Sequence, residues 1–150
     1  MANKINIKNR KAYHDYELIE KFNAGLQLLG SEIKSIRMGK ASLSDSYCVF
    51  YENELYIRGL QIAEYAWANR NNHEPGRERK LLLNRKELSR LQRKVRESGL
   101  TIVALRIYIN ASGLAKIEIA LARGMRQYDK REAIKRKDTQ RQLDRLKKIR

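Results

Sequence analysis

The chain has 150 residues, 42% of them hydrophobic, which suits one domain with one modest core. Thirty-three Lys and Arg against 17 Asp and Glu give a formal charge of +16, and a pI near 10.2 follows. This balance points to a polyanionic partner, because neutralising phosphates releases their counterions. No run approaches the roughly 20 apolar residues that span a bilayer, one cysteine excludes an internal disulfide or a multi-cysteine zinc site, and the first residues lack the apolar stretch of a secretory signal. A cytoplasmic protein with no membrane partner is expected.

In chain order, Met1 to Lys11 reads as polar and loose. Leu18, Phe22, Ala24, Leu26 and Leu28 share one parity, which predicts a strand over Tyr16 to Leu28 with a bulge or bend at Gly25. In GSEIKSIRMGK, Ser31 is placed to cap a short helix that carries Glu32 in its positive first turn and stops at Gly39. From Ser46 the period becomes two: Tyr47, Val49 and Tyr51, a Glu52-Asn53 turn, then Leu55 and Ile57 predict a hairpin, with a further short strand at Leu60 to Ala63. Cys48 within it reads as a buried strand thiol.

Asn69 to Arg79, with the only proline, reads as a long irregular connection, and Arg77, Arg79 and Lys80 as a cationic edge. Asn84 and Glu87 have capping-box spacing for a helix with Leu88, Leu91 and Val95 on one face, ending at Gly99. Alternation then predicts two long strands, Ile102 to Ile109 and Ala115 to Leu121, with Val103, Leu105, Ile107 and Ile109 on one side of the first. Several short strands around a capped helix predict a mainly β fold with short helices, a small closed antiparallel barrel of the oligonucleotide-binding type; a sandwich or a mixed α+β layer also accommodates the pattern. The barrel is expected over 1–122 and a basic tail over 123–150.

That tail holds twelve Lys and Arg against four Asp and Glu over 28 residues, with a thin apolar stripe. Such a segment is expected to be disordered when free and to order on a polyanionic surface. In NRKAYHDY, Arg10 and Lys11 interleave with Tyr13, His14 and Tyr16, the mix that holds phosphates while rings stack on exposed bases; a solvated arm is the plainer alternative. Glu32 either complements the helix dipole or accepts from base edges or a site arginine.

Catalysis is not expected. Two histidines and one cysteine cannot supply a typical metal site, and nucleophile-elbow, Walker and dinucleotide-glycine patterns are absent. No cofactor is implied, and His14 and His73 read as hydrogen-bonding or phosphate-contacting groups.

Four segments, NRKAYHDY, GSEIKSIRMGKASLSDSY, RERKLLLNRKEL and YDKREAIKRK, occur in the order of one known family. The chain resembles, over essentially its whole length, the small protein B family of bacterial tmRNA-binding (SsrA-binding) proteins. The resemblance implies an oligonucleotide-binding barrel and a non-enzymatic role in trans-translation. The partners it implies are the tRNA-like domain of tmRNA, elongation factor Tu in the delivery complex, and the decoding centre and vacant mRNA channel of the ribosome's small subunit. It implies RNA contacts at Glu32, Leu82 and Lys116, with Asn9, Arg10, Lys11, Tyr13, His14 and Lys34 nearby. It also implies a ribosome-binding tail, helical on the ribosome, that uses Tyr128, Asp129, Lys130, Arg131, Lys135, Arg136, Lys137 and Arg141. Tyr128 stands where some relatives have histidine, so stacking fits there better than imidazole chemistry. A general single-strand RNA-binding or structural ribosomal protein is the rival, and a monomer is expected. On this reading, Glu32→Ala should weaken RNA binding and leave the fold intact.

Overall fold

The computed structural model describes residues 5–67 and 72–124. In order they form β1 (Asn6–Lys8), α1 (Arg10–Asp15), β2 (Tyr16–Leu26), α2 (Gly30–Arg37), β3 (Ala41–Ser42), β4 (Tyr47–Tyr51), β5 (Glu54–Arg58), β6 (Gln61–Ile62), β7 (Arg79–Leu82), α3 (Arg85–Ser98), β8 (Thr101–Ile109) and β9 (Ala115–Gly124). Seven strands make one antiparallel sheet in the order β1-β8-β9-β2-β7-β5-β4, and β3 pairs with β6 in a small second sheet.

The fold is mainly β with a few short helices, but the expected closed barrel does not form. The sheet curls until β4 comes within 8 Å of β8, Cα to Cα, yet no ladder joins them. The physical reason lies in the segment expected to be loose. β1 pairs along Arg106 to Tyr108, and the Asn9 N–H bonds the Leu105 carbonyl at 2.8 Å, so this length of the outer edge of β8 is already occupied.

Capping chemistry sets the helices. Asn84 accepts from the Glu87 N–H at 2.8 Å and Glu87 reaches back to the Asn84 N–H, while Gly99 takes φ +67° at the C-cap of α3. Leu88 and Leu91 then face the main core, each contributing about 1.5–3 kcal/mol by burial. In α2 the N-cap is Leu29, and Ser31 is inside the helix. Ser31 does not cap; its hydroxyl meets His73 Nδ1 at 2.8 Å.

Two bulges divide the apolar residues between the faces of the sheet. The β2/β9 register shifts between Leu18 and Glu20, so Phe22, Ala24 and Leu26 enter the main core and Leu18 packs on the other side. The expected bulge at Gly25 is therefore displaced to Ile19. In β8 the shift falls between Ala104 and Arg106. It separates Val103 and Leu105, in a small second cluster with Ala12, Ala120 and Ala122, from Ile107 in the main core. The single-sided set expected on β8 is thereby overturned.

The hairpin forms as expected, with Glu52 and Asn53 at φ 50° and 66° as two left-handed residues matched to the strand twist. On β4, however, Cys48 and Phe50 pair opposite Ile57 and Leu55 and face the core, and Tyr47, Val49 and Tyr51 point away. Cys48 is half-buried, and desolvation pushes its thiol up to about 12. Among the described residues no helix is long and apolar enough to cross a membrane.

Candidate nucleic-acid interface

Glu32 is placed by its own helix and held from outside it. Its carboxylate accepts from the Leu29 N–H at 2.7 Å, from Arg77 Nε and Nη2 at 2.7 Å each, and from Arg79 Nε at 2.7 Å. Two donors on each oxygen occupy all four lone-pair directions, and the side chain is fully buried. Burial alone would raise this carboxyl; the bonds from Arg77, Leu29 and Arg79 outweigh it and hold Glu32 below the usual carboxylate range.

Arg79, expected on a cationic edge, is instead buried with Glu32. Its remaining donors reach the carbonyls of Leu60, Arg77, Glu74 and Pro75. Burial lowers its basicity and Glu32 opposes that shift, while Glu32 raises that of the partly exposed Arg77. His73 is buried too: Nε2 donates to the Ile62 carbonyl at 2.8 Å, which leaves Nδ1 to accept from Ser31. The described part of the connection, 72–78, is thus pinned by side chains to α2, β5 and β6. The exposed side of α2 carries Lys34, whose Nζ lies 5.6 Å from the centre of the Tyr65 ring, and Arg37, which donates to the Gly113 carbonyl at 3.2 Å.

Leu82 and Lys116 come together through register. Gly25 on β2 is the Cα partner of Leu82 on β7 and of Lys116 on β9. Strands lie about 4.8 Å apart, so Leu82 and Lys116 stand about 10 Å apart across a residue with no side chain. At the end of this row Ile33 and Arg37 of α2 and Leu114 of the β8/β9 turn complete a groove of about 460 Å³. Leu82 and Leu114 are exposed at 47% and 60%, and among the described residues no carboxylate pairs with Lys116.

Side chains alternate along β9, so Lys116 and Glu118 share their face with Ala120 and Ala122, which Ala12 of α1 covers. The α1 residues therefore lie on the same face as the Leu82 row, about 20 Å along the strand. Arg10, Lys11, Tyr13 and His14 are exposed there, and His14 Nδ1 lies 2.9 Å from Asp15. NRKAYHDY is accordingly a capped helix rather than an arm. Asn9 departs from the expected surface: it is buried, caps α1 by accepting from the Ala12 N–H, and donates from Nδ2 to the Ala104 carbonyl at 2.9 Å, beside the β8 bulge.

The arrangement thus exposes Arg10, Lys11, Tyr13, His14, Lys34 and Leu82, leaves Lys116 half-buried, and buries Asn9 and Glu32. Tyr128, Asp129, Lys130, Arg131, Lys135, Arg136, Lys137 and Arg141 lie outside the described residues. Sequence reasoning missed Gly25 as the floor of the row, and Ile33, Arg37 and Leu114 as its rim. The pairing of β2 with both β7 and β9 exposes these roles, and no local pattern carries that information. Among the described residues no group of His, Cys, Asp and Glu is placed to hold a metal ion.

Residues 6–149 match the family model described as SmpB protein. The SsrA-binding protein of Phocaeicola vulgatus is 54% identical over 142 residues, covering 95% of each chain. That of Bacteroides thetaiotaomicron is 52% identical with the same coverage, and that of Christiangramia forsetii 51% identical over 99% of this chain and 94% of its own. A chain from a solved structure described as "tmRNA-SmpB: a journey to the center of the bacterial ribosome" superposes with a TM-score of 0.71 at 45% identity, covering 88% of this chain and 96% of that one. A match along nearly the whole length, at about half the positions identical, makes this chain a member of the SmpB family of SsrA-binding proteins.

Proposed function

We propose that the chain is the tmRNA-binding adaptor of trans-translation. It grips the tRNA-like domain of tmRNA, accompanies its alanylated form with elongation factor Tu, and brings it to ribosomes stalled without a stop codon. The observation that carries this reading is the single sheet face on which exposed cations and rings of α1 stand in line with the Leu82, Gly25 and Lys116 row. Cations set one strand-length apart suit a backbone that presents phosphates over a comparable span, and the apolar slot between Leu82 and Lys116 suits a base or ribose. The family match over residues 6–149 supports it independently.

In this reading Arg10, Lys11, Lys34 and Lys116 hold phosphates, and Tyr13, His14 and Leu82 pack against sugars or bases. Asn9 and Glu32 act as positioning residues behind the surface. The curled sheet is an oligonucleotide-binding type left open at β1. The segment from Tyr128 to Arg141 carries the tail's cations into the vacant mRNA channel near the decoding centre, a role its charge supports. The protein works in the cytoplasm, as a monomer, without cofactor or bound metal.

The test is a titration of the tRNA-like domain against a length-matched unrelated hairpin at two salt concentrations. Selective binding that persists at the higher salt is the expected result. Equal affinity for both RNAs, collapsing together with salt, would leave only a general RNA-binding protein.

A further inference from the structure

The row that joins Leu82, Gly25 and Lys116 does not end at Lys116. Lys116 is the partner of Tyr108 on β8, and Tyr108 of Asn6 on β1, so five strands contribute one line of side chains to the outer face. Tyr108 was not among the residues expected at the interface, and its setting is specific. Its hydroxyl donates to Asn23 Oδ1 on β2 at 2.7 Å, so the side chain reaches diagonally across β9. The Arg106 guanidinium stacks on the ring, its carbon 4.3 Å from the centroid.

Arg106 is itself fixed. Nε donates to Glu118 at 3.1 Å and Nη1 to Asn6 at 3.4 Å. Glu118 stands two residues along β9 from Lys116, so the guanidinium braces the ring from the Glu118 side. Away from Glu118, the Cα partner of Tyr108 on β9 is Lys116, which adjoins the slot over Gly25. A braced ring beside an ammonium group that no carboxylate among the described residues neutralises is a platform for a flat π-system carrying an adjacent negative charge. A side chain at Gly25 would fill the slot: its Cβ would lie 3.3 Å from Leu82 Cβ, a tight contact, and any longer group would occupy the space itself.

We propose that Tyr108, braced by Arg106 and Asn23, is a stacking platform for an unpaired nucleobase of the bound RNA. The phosphate next to that base sits on Lys116, and its sugar lies over Gly25 against Leu82. The occupant is RNA because the face combines ring, cation and slot in a chain of net charge +16, and Glu118, the acid that adjoins the ring among the described residues, is spent on Arg106. The proposal rests on the tmRNA-binding reading and adds to it a base-stacking contact that charge alone does not provide.

The test titrates the tRNA-like domain, over a salt series, against the full-length wild type, Tyr108→Ala, Tyr108→Phe and Lys116→Ala, with the thermal midpoint of each protein recorded. Stacking on one base predicts that Tyr108→Ala weakens binding by about 5- to 150-fold and leaves the salt slope unchanged. Tyr108→Phe keeps the ring and stays within about twofold of wild type, and Lys116→Ala lowers the salt slope by about one. An unaltered thermal midpoint for Tyr108→Phe alongside the expected affinities separates stacking from a structural role of the hydroxyl. Tyr108→Ala binding within twofold of wild type, or Tyr108→Phe losing as much as Tyr108→Ala, overturns the platform while a still-selective wild type preserves the adaptor reading. A wild type without preference for the tRNA-like domain overturns both.

Discussion

Glu32→Gln removes one charge and almost no volume from the centre of the network beneath α2. The glutamine oxygen retains two of the four donors, and its amide N–H groups confront the other two. Arg79 is fully buried and is left without an anion, a situation that costs about 3–5 kcal/mol when one partner of a buried pair is removed. The exposed part of the Arg77 pair adds less than about 1 kcal/mol. With a urea dependence of about 2 kcal/mol per molar, the unfolding midpoint followed by circular dichroism should fall by about 2 M at pH 7. Because the folded carboxyl is held below its ordinary value, its contribution is complete above about pH 4.3 and is lost as pH falls through the depressed value. The gap between wild type and variant should therefore close in acid. A loss under about 1 kcal/mol at pH 7, or a gap that does not narrow in acid, would refute the reasoning. The same geometry reverses the expectation that Glu32→Ala spares the fold, so RNA binding by such variants has to be measured where they remain folded.

Asn9→Ala should cost about 1–3 kcal/mol in chemical denaturation, since it removes a helix cap and the buried hydrogen bond to the Ala104 carbonyl beside the bulge; a loss below about 0.5 kcal/mol would contradict this. Leu82→Ala, at an exposed position, should change stability by no more than about 0.5 kcal/mol while weakening binding of the tRNA-like domain, and unchanged affinity would remove Leu82 from the interface. With its thiol pushed up to about 12, Cys48 should react with a thiol reagent at pH 8 on the order of 100-fold or more slowly in the native protein than in urea, and equal rates would contradict its desolvation.

What could be read in the sequence was whatever is locally encoded. The capping box of α3, the Glu52-Asn53 turn and the long β8/β9 hairpin each depend on residues a few positions apart, and each forms. The edge that leaves the sheet open, the bulges at Ile19 and Leu105, and β7 depend on pairing between distant segments. A bulge reverses the meaning of parity from one residue to the next, so Leu105 and Ile107 look alike in sequence and serve different faces. The same limit applies to the candidate site. Glu32 stands out in the sequence as an acid at a helix start and Asn9 as part of the NRKAYHDY segment, but only the fold shows that both side chains are buried. Tyr108 shares a row with Lys116, and only the register places them side by side.

The central claim is that this chain commits tmRNA to stalled ribosomes. The most direct measurement supplies alanylated tmRNA and elongation factor Tu to ribosomes stalled on a message without a stop codon, and reads transfer of the tag with no added chain, with the full chain and with a chain ending at Gly124. Transfer that requires the full chain, and fails with the shortened one although it still binds the tRNA-like domain, is the predicted result. Transfer that proceeds equally without the chain would contradict the account.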